Sequence, residues 1–175
     1  SGDLSPVPFP AISLHTGSGQ PWIGGKRGQI FDLGTRTTYV LAPPLKLVKN
    51  GRRASEPEDV KRIVSFRGDT FAQAWALYRF SPTERTFKEE RESAARFHVF
   101  SIVADGDEAL YAATWNEIWR YDGKWRRWFS GDSDLRVPHA LAIGRDGRLY
   151  VGDDARVLEI DATGEAQRQW EVESA

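Results

Sequence analysis

The chain has no cysteine, which excludes disulfides, thiolate metal sites and a thiol nucleophile. It has almost no net charge: 24 Lys and Arg stand against 25 Asp and Glu, leaving −1 at pH 7. No global field therefore favours nucleic acid or an anionic membrane, and the arginines are interleaved with acids rather than gathered into a basic run. No apolar stretch approaches the roughly 18–20 residues of a membrane-spanning helix. Histidine occurs only three times, at 15, 98 and 139, so imidazole chemistry has few places to sit. Catalytic signatures are missing too. There is no Gly-x-Ser-x-Gly elbow, and "GSGQPWIGGKRG" (17–28) lacks the residue order of a phosphate loop and reads as two hairpin turns. The acidic pairs in "ADGDEA" (104–109) and "GDSDL" (131–135) lack the spacing of an EF-hand loop. Asp105 and Asp146 are better explained as turn formers. These absences point away from an enzyme, a metal site and a cofactor.

What the chain does have is aromatic: 12% Phe, Trp and Tyr, with seven Trp. That composition favours strands and supplies flat apolar faces. At 175 residues, with 40% hydrophobic and 28% charged residues, one soluble domain with a useful core is expected. The opening "SGDLSPVPFP" suits the stretch just after a removed export signal or a lipid-bearing Cys. It suits a cloning scar equally well, which leaves only a modest lean to an exported, periplasmic and bacterial setting.

The dominant feature is a repeat. "RFHVFSIVADGDEALYAATWNEIWRYDGKWRRWF" (96–129) and "VPHALAIGRDGRLYVGDDARVLEIDATGEAQRQW" (137–170) share one rhythm. Setting His98 on His139 places Phe100, Ile102 and Asp105-Gly106 on Leu141, Ile143 and Asp146-Gly147. A two-residue gap at Asp107-Glu108 then brings Leu110-Tyr111 onto Leu149-Tyr150 and Ile118–Asp122 onto Val157–Asp161. A period near 40 indicates a repeat architecture. Short Val, Ile, Leu, Tyr and Trp runs between Asp-Gly and Thr-Gly turns are a β code. In the last unit they predict strands at 139–144, 148–152, 156–160 and 167–172. Weaker copies place Trp22-Ile23-Gly24 on Tyr150-Val151-Gly152 and Leu77–Phe80 on Ile118–Tyr121. The units are 10–41, 60–90, 97–130 and 138–172, with 42–59 as an inserted loop. Four antiparallel strands per unit describe a propeller blade. The expected fold is all-β and propeller-like, one domain of about four blades.

The stretch "VPHALAIGRDGRLYVGDDARVLEID" resembles the repeats of two-component-regulator and NHL-type propellers. "NEIWRYDGKWRRW" is similar to the Trp-Arg-Tyr-Asp half of the regulator type. The resemblance is strong over 97–172 and weak before it. It implies a β-propeller scaffold, and its motifs mark a fold without carrying a catalytic assignment. Propellers of those families usually have six or more blades. Four units leave two versions open: a small closed propeller, or an arc that associates with another chain, as in an eight-bladed dimer.

In a blade, the turn between strands two and three shares one end with the start of strand one. That end would collect Gly25-Lys26, Trp75, Trp115-Asn116, Asp153-Asp154, His98, His139 and the loop Gly131–Arg136. His98 and His139 are expected at equivalent positions, as polar groups near the channel mouth or as caps on a neighbouring backbone. His15 falls elsewhere in its unit and is expected in solvent. Trp115 falls on Asp154 in the repeat, so the fold does not demand an aromatic there. Exposed Trp beside Asp and Asn can anchor a protein partner or stack on a sugar; packing between blades is the structural alternative. In "KWRRWF" (124–129), alternation would send Trp125, Arg127 and Phe129 one way and Lys124, Arg126 and Trp128 the other, as on an outermost strand rather than a nucleic-acid patch. The sequence thus points to a non-catalytic recognition or scaffold domain that binds another protein or assembles with itself. A carbohydrate- or small-ligand-binding propeller using exposed Trp is the alternative.

Overall fold

The computed structural model describes residues 8–15, 21–41, 45–48, 51–54, 58–90, 98–130 and 137–172, with the backbone alone described for 45–48 and 51–54. The chain divides into two compact units, Ser1–Glu89 and Glu90–Ala175. Each holds two four-stranded antiparallel sheets in which consecutive strands are neighbours. In the first unit, β1 (Ala11–His15), β2 (Trp22–Gly25), β3 (Gln29–Asp32) and β4 (Thr37–Val40) make one sheet, blade 1. β7 (Arg62–Phe66), β8 (Asp69–Gln73), β9 (Leu77–Ser81) and β10 (Thr86–Glu89) make blade 2. In the second unit, β11 (Ser101–Asp105), β12 (Ala109–Ala113), β13 (Glu117–Tyr121) and β14 (Trp125–Ser130) make blade 3. Blade 4 comprises β15 (Ala140–Ile143), β16 (Leu149–Gly152), β17 (Arg156–Ile160) and β18 (Ala166–Glu171). The strands of blade 4 fall within about two residues of those expected from the turn signals.

The 42–59 stretch is not simply a loop. β5 (Leu45–Val48) pairs antiparallel with β6 (Gly51–Ala54) as a separate two-stranded sheet.

The strand pairing corrects the phase of the repeat. Leu110, Tyr111, Ala112 and Ala113 pair with Tyr121, Arg120, Trp119 and Ile118. Leu149, Tyr150, Val151 and Gly152 pair with Ile160, Glu159, Leu158 and Val157. The preceding strands follow the same rule, with Ser101 opposite Ala113 and Ala140 opposite Gly152. Every equivalent pair is separated by the same 39 positions, from Ser101 and Ala140 to Tyr121 and Ile160, with no gap. His139 is therefore the counterpart of Phe100, and His98 that of Val137. The matching of two conspicuous histidines had shifted the innermost strands by two residues, a shift that keeps side chains on the same face and so leaves the apolar alternation intact.

Packing follows from that register. In blade 4, Leu141, Val151 and Leu158 form one cross-strand row and Ile143, Leu149 and Ile160 the next. This face joins one core cluster with Ala109, Tyr111, Ala113 and Ile118 of blade 3, against which Val103, Trp128 and Phe129 also pack. A sheet face this apolar must be covered, at about 1.5–3 kcal/mol for each large side chain taken out of water. Strict alternation in "KWRRWF" fails here. Ile118 pairs with Phe129 but Trp119 with Arg127, so Trp128 is the extra residue of a β-bulge. The bulge lets two consecutive aromatics reach the same core, and the Trp128 ring lies 5.0 Å from Tyr111.

The first unit uses the same device with aromatics. Trp22 and Tyr39 of blade 1 meet Phe80 and Phe87 of blade 2, with centroids 5.3–6.0 Å apart between blades. Gly24 sits beneath Val60 and the Ser13 hydroxyl, where a Cβ would collide with both. The chain needs glycine there because the Ser13 hydroxyl reaches across to donate to the Val60 carbonyl at 3.2 Å. Nearby, Arg67 and Gly68 both adopt positive φ, 49° and 81°, closing the Phe66–Asp69 pair with the two-residue turn that a twisted hairpin prefers.

Candidate functional site

Four backbone hydrogen bonds build one end of the second unit. The Phe100 N–H donates to the Ala113 carbonyl at 2.9 Å, and the His139 N–H donates to Gly152 at 2.9 Å. The Thr114 N–H donates to Glu117 at 2.9 Å, and the Asp153 N–H donates to Arg156 at 3.0 Å. The first pair ties the approach to each innermost strand against the end of its second strand. The second pair closes the tight turn that follows. In each blade, one position preceding strand one is thereby set beside one turn between strands two and three.

Phe100 is the hub of the side chains gathered there. Its ring lies 4.1 Å from His98 at a shallow 36°. Trp115 stands steeply against it, at 5.1 Å and 77°, and so does His139, at 5.7 Å and 89°. Trp115 also meets His98 edge-on, at 6.2 Å and 80°. Beyond His139 is Asp154, whose carboxylate lies 3.1 Å from the imidazole Nε2. The outer members are open to solvent. Trp115 is 54% exposed, and the side chains of His139 and Asp154 are 53% and 67% exposed. Aromatic pairs in offset or steep geometry contribute about 0.5–1.5 kcal/mol each, enough to hold the rings in place but far less than burying the indole would. Exposure at Trp115 is a cost the fold tolerates.

The structure thus brings together His98, Trp115, His139 and Asp154, with exposed Asn116 beside Trp115 in the turn. Phe100 was missed by sequence reasoning because the misplaced phase set it on Leu141, a core position. Its signal is the constant spacing, which places it opposite His139.

Two other predicted site residues stand elsewhere. Trp75 lies in the first unit, partly buried against that unit's core cluster. The Asp153 side chain is only 1% exposed. It accepts from the Ala155 and Arg156 N–H groups, both at 2.9 Å, and from Arg156 Nε at 3.1 Å. Burial pushes the Asp153 carboxyl up, but these hydrogen bonds together outweigh it and hold the pKa below the ordinary 3.8. Its carboxylate shapes the turn that presents Asp154. The 131–136 loop, expected at this end, lies outside the described residues.

His15 is not a solvated side chain. It is half-buried in the first unit, 2.9 Å from the Ser65 hydroxyl, joining blade 1 to blade 2. Burial lowers its proton affinity. The neutral ring suits that contact.

No protein-family model matches the sequence, and no curated protein matches it. Its fold has clear relatives. The extracellular domain assigned to the one component system BT4673 from B. thetaiotaomicron superposes with a TM-score of 0.65 at 14% identity, covering 100% of this chain and 24% of that one. The extracellular domain assigned to the hybrid two component system BT3049 from the same organism gives 0.62 at 12% identity, covering 95% and 25%. The WD40 β-propeller domain of Doa1 gives 0.56 at 17% identity, covering 87% and 51%. The chain therefore spans about a quarter of the first two chains and about half of the third. With four four-stranded antiparallel sheets and these neighbours, the fold is that of β-propeller blades.

The turn supplies a direct test. Asp153→Ala is expected to cost about 1–3 kcal/mol, because two backbone donors and a guanidinium lose their acceptor. The carboxylate's contribution is complete above the ordinary carboxyl range and is lost as pH falls through the lowered folded value. In chemical denaturation, the deficit of Asp153→Ala relative to the parent should therefore shrink from about pH 5 to about pH 2. A deficit that is constant with pH would contradict this role.

Proposed function

We propose that this chain is a non-catalytic recognition domain whose binding surface is the Trp115, Phe100, His98, His139 and Asp154 cluster. A propeller scaffold suits such work because rigid sheets carry turns whose residues can vary without disturbing the core. The observation carrying the proposal is the exposed indole of Trp115 at a turn where the equivalent residue is Asp154. Exposed Trp is costly and is characteristic of binding hot spots. The cluster contains no nucleophile paired with a base, which favours binding over catalysis.

A second reading, assembly with a further copy, has its own observation. Tyr150, Gly152 and Val157 of blade 4 occupy the positions at which Tyr111, Ala113 and Ile118 of blade 3 pack on blade 4. In blade 4 this face carries Trp170, paired with Val157 and 44% exposed. A blade from a second copy would cover it as blade 4 covers blade 3.

Selection from a displayed peptide library, alongside a glycan array, tests the first reading. Peptides enriched on the parent chain should lose about tenfold or more in affinity with Trp115→Ala. Retention of full affinity would refute the assignment. Binding to glycans alone, abolished by the same change, would favour the sugar-binding alternative. For the second reading, light scattering should show association in the parent that Trp170→Glu abolishes. A parent that remains monomeric up to about millimolar concentration would overturn it.

A further inference from the structure

Resting on the assembly reading above, we propose what meets the open face of blade 4: the outer face of blade 1 in a second copy, in a head-to-tail contact. The open face of blade 4 carries a cross-strand row found also in blades 1 and 3. From the second strand to the fourth, the row is Gly24, Ile30 and Tyr39 in blade 1. It is Ala113, Ile118 and Phe129 in blade 3, and Gly152, Val157 and Trp170 in blade 4. Each has a small residue, then an aliphatic one, then an aromatic one. The first two rows are covered by residues of the blade that follows. Val60 presses on Gly24, and Ile30 and Tyr39 pack in the core of the first unit. Ala113, Ile118 and Phe129 pack in the core that blade 3 shares with blade 4. The third row is open, for Trp170 is exposed, and so is Val172 two residues on.

Blade 1 presents the complementary side. Ser13 and His15 point toward blade 2, to the Val60 carbonyl and the Ser65 hydroxyl, so Leu14 between them faces the other way. Leu14, Ile23, Phe31 and Thr38 form a row on that outer face. The same four positions in blade 4 are Leu141, Val151, Leu158 and Gln169, and there the three apolar residues lie against blade 3. Three apolar residues and one uncharged polar residue recur in the same order. In blade 1 the row is open: Leu14 is 65% exposed, and Val40, two residues beyond Thr38 on the same face, is 58% exposed. The two sides of the interface between blades 3 and 4 thus recur, uncovered, on blade 4 and blade 1. Pairing blade 4 with blade 4 would join two faces of one kind and leave Leu14 and Val40 in water. The head-to-tail contact covers both kinds of face at once. Glu159, on the blade 4 face beside Tyr150, is already paired with Arg148, so covering it strands no charge.

The test is sedimentation velocity on the parent chain, on Leu14→Glu, on Trp170→Glu and on an equimolar mixture of the two variants. The parent should associate. Each variant alone should run as a single chain, because every contact in its assembly would bury an unpaired carboxylate. The mixture retains one intact pair of faces, blade 4 of Leu14→Glu on blade 1 of Trp170→Glu. It should therefore restore a complex of two chains and nothing larger. Both substitutions fall at exposed positions, and a cooperative unfolding transition checks that each variant is folded. Val40→Glu or Val172→Glu replaces a variant that is not. If Leu14→Glu associates like the parent, or the mixture stays at single-chain mass, the head-to-tail contact is overturned while assembly through blade 4 stands. If Trp170→Glu associates like the parent, or the parent stays at single-chain mass up to about millimolar concentration, the assembly reading falls and this contact falls with it.

Discussion

A four-stranded sheet whose two faces are both apolar cannot be stable alone; it needs another sheet laid on it. That requirement governs each half of this protein. In the second unit, Leu141, Val151 and Leu158 form a row that blade 3 covers with Tyr111, Ala113 and Ile118. In the first, Trp22 and Tyr39 do for blade 1 what aliphatics do in blade 4, meeting Phe80 and Phe87. The contents differ, but the constraint is the same. Local irregularities serve it: the Trp128 bulge turns a second aromatic inward, and Gly24 makes room for Val60.

Because packing fixes the sheets, it also fixes which turn residues become neighbours. Phe100 and His139 both precede an innermost strand, and Trp115 and Asp154 both occupy the turn after the second. The scaffold needs the backbone hydrogen bonds at these places and a turn former such as Thr114 or Asp153. It is indifferent to the next side chain, which is why an indole and a carboxylate can stand at equivalent sites. The candidate site is the product of a strict register and a permissive turn.

Much of the fold was legible in the sequence because strand periodicity and Asp-Gly or Thr-Gly turns are local signals. The strands of blade 4 and the correspondence of Leu77–Phe80 to Ile118–Tyr121 came from such signals. The errors arose where a signal was ambiguous or non-local. Aligning His98 with His139 rewarded residue identity over spacing and hid Phe100, since a two-residue slip leaves strand alternation unchanged. The bulge at Trp128 could not be seen, because it depends on what the opposite strand presents. Trp75 and Trp115 looked alike in sequence; whether each packs on a core is decided by residues distant in the chain. His15 likewise met Ser65, 50 positions away.

The constant register that makes Phe100 the counterpart of His139 is the claim on which both the packing and the site depend. Aromatic NOE spectroscopy on the intact chain addresses it most directly. The account predicts cross-peaks from the Phe100 ring to both the His139 imidazole and the Trp115 indole, with His98 stacked on the same ring. Absence of the Phe100–His139 cross-peak, with Phe100 instead contacting the Leu149 and Ile160 core, would contradict it.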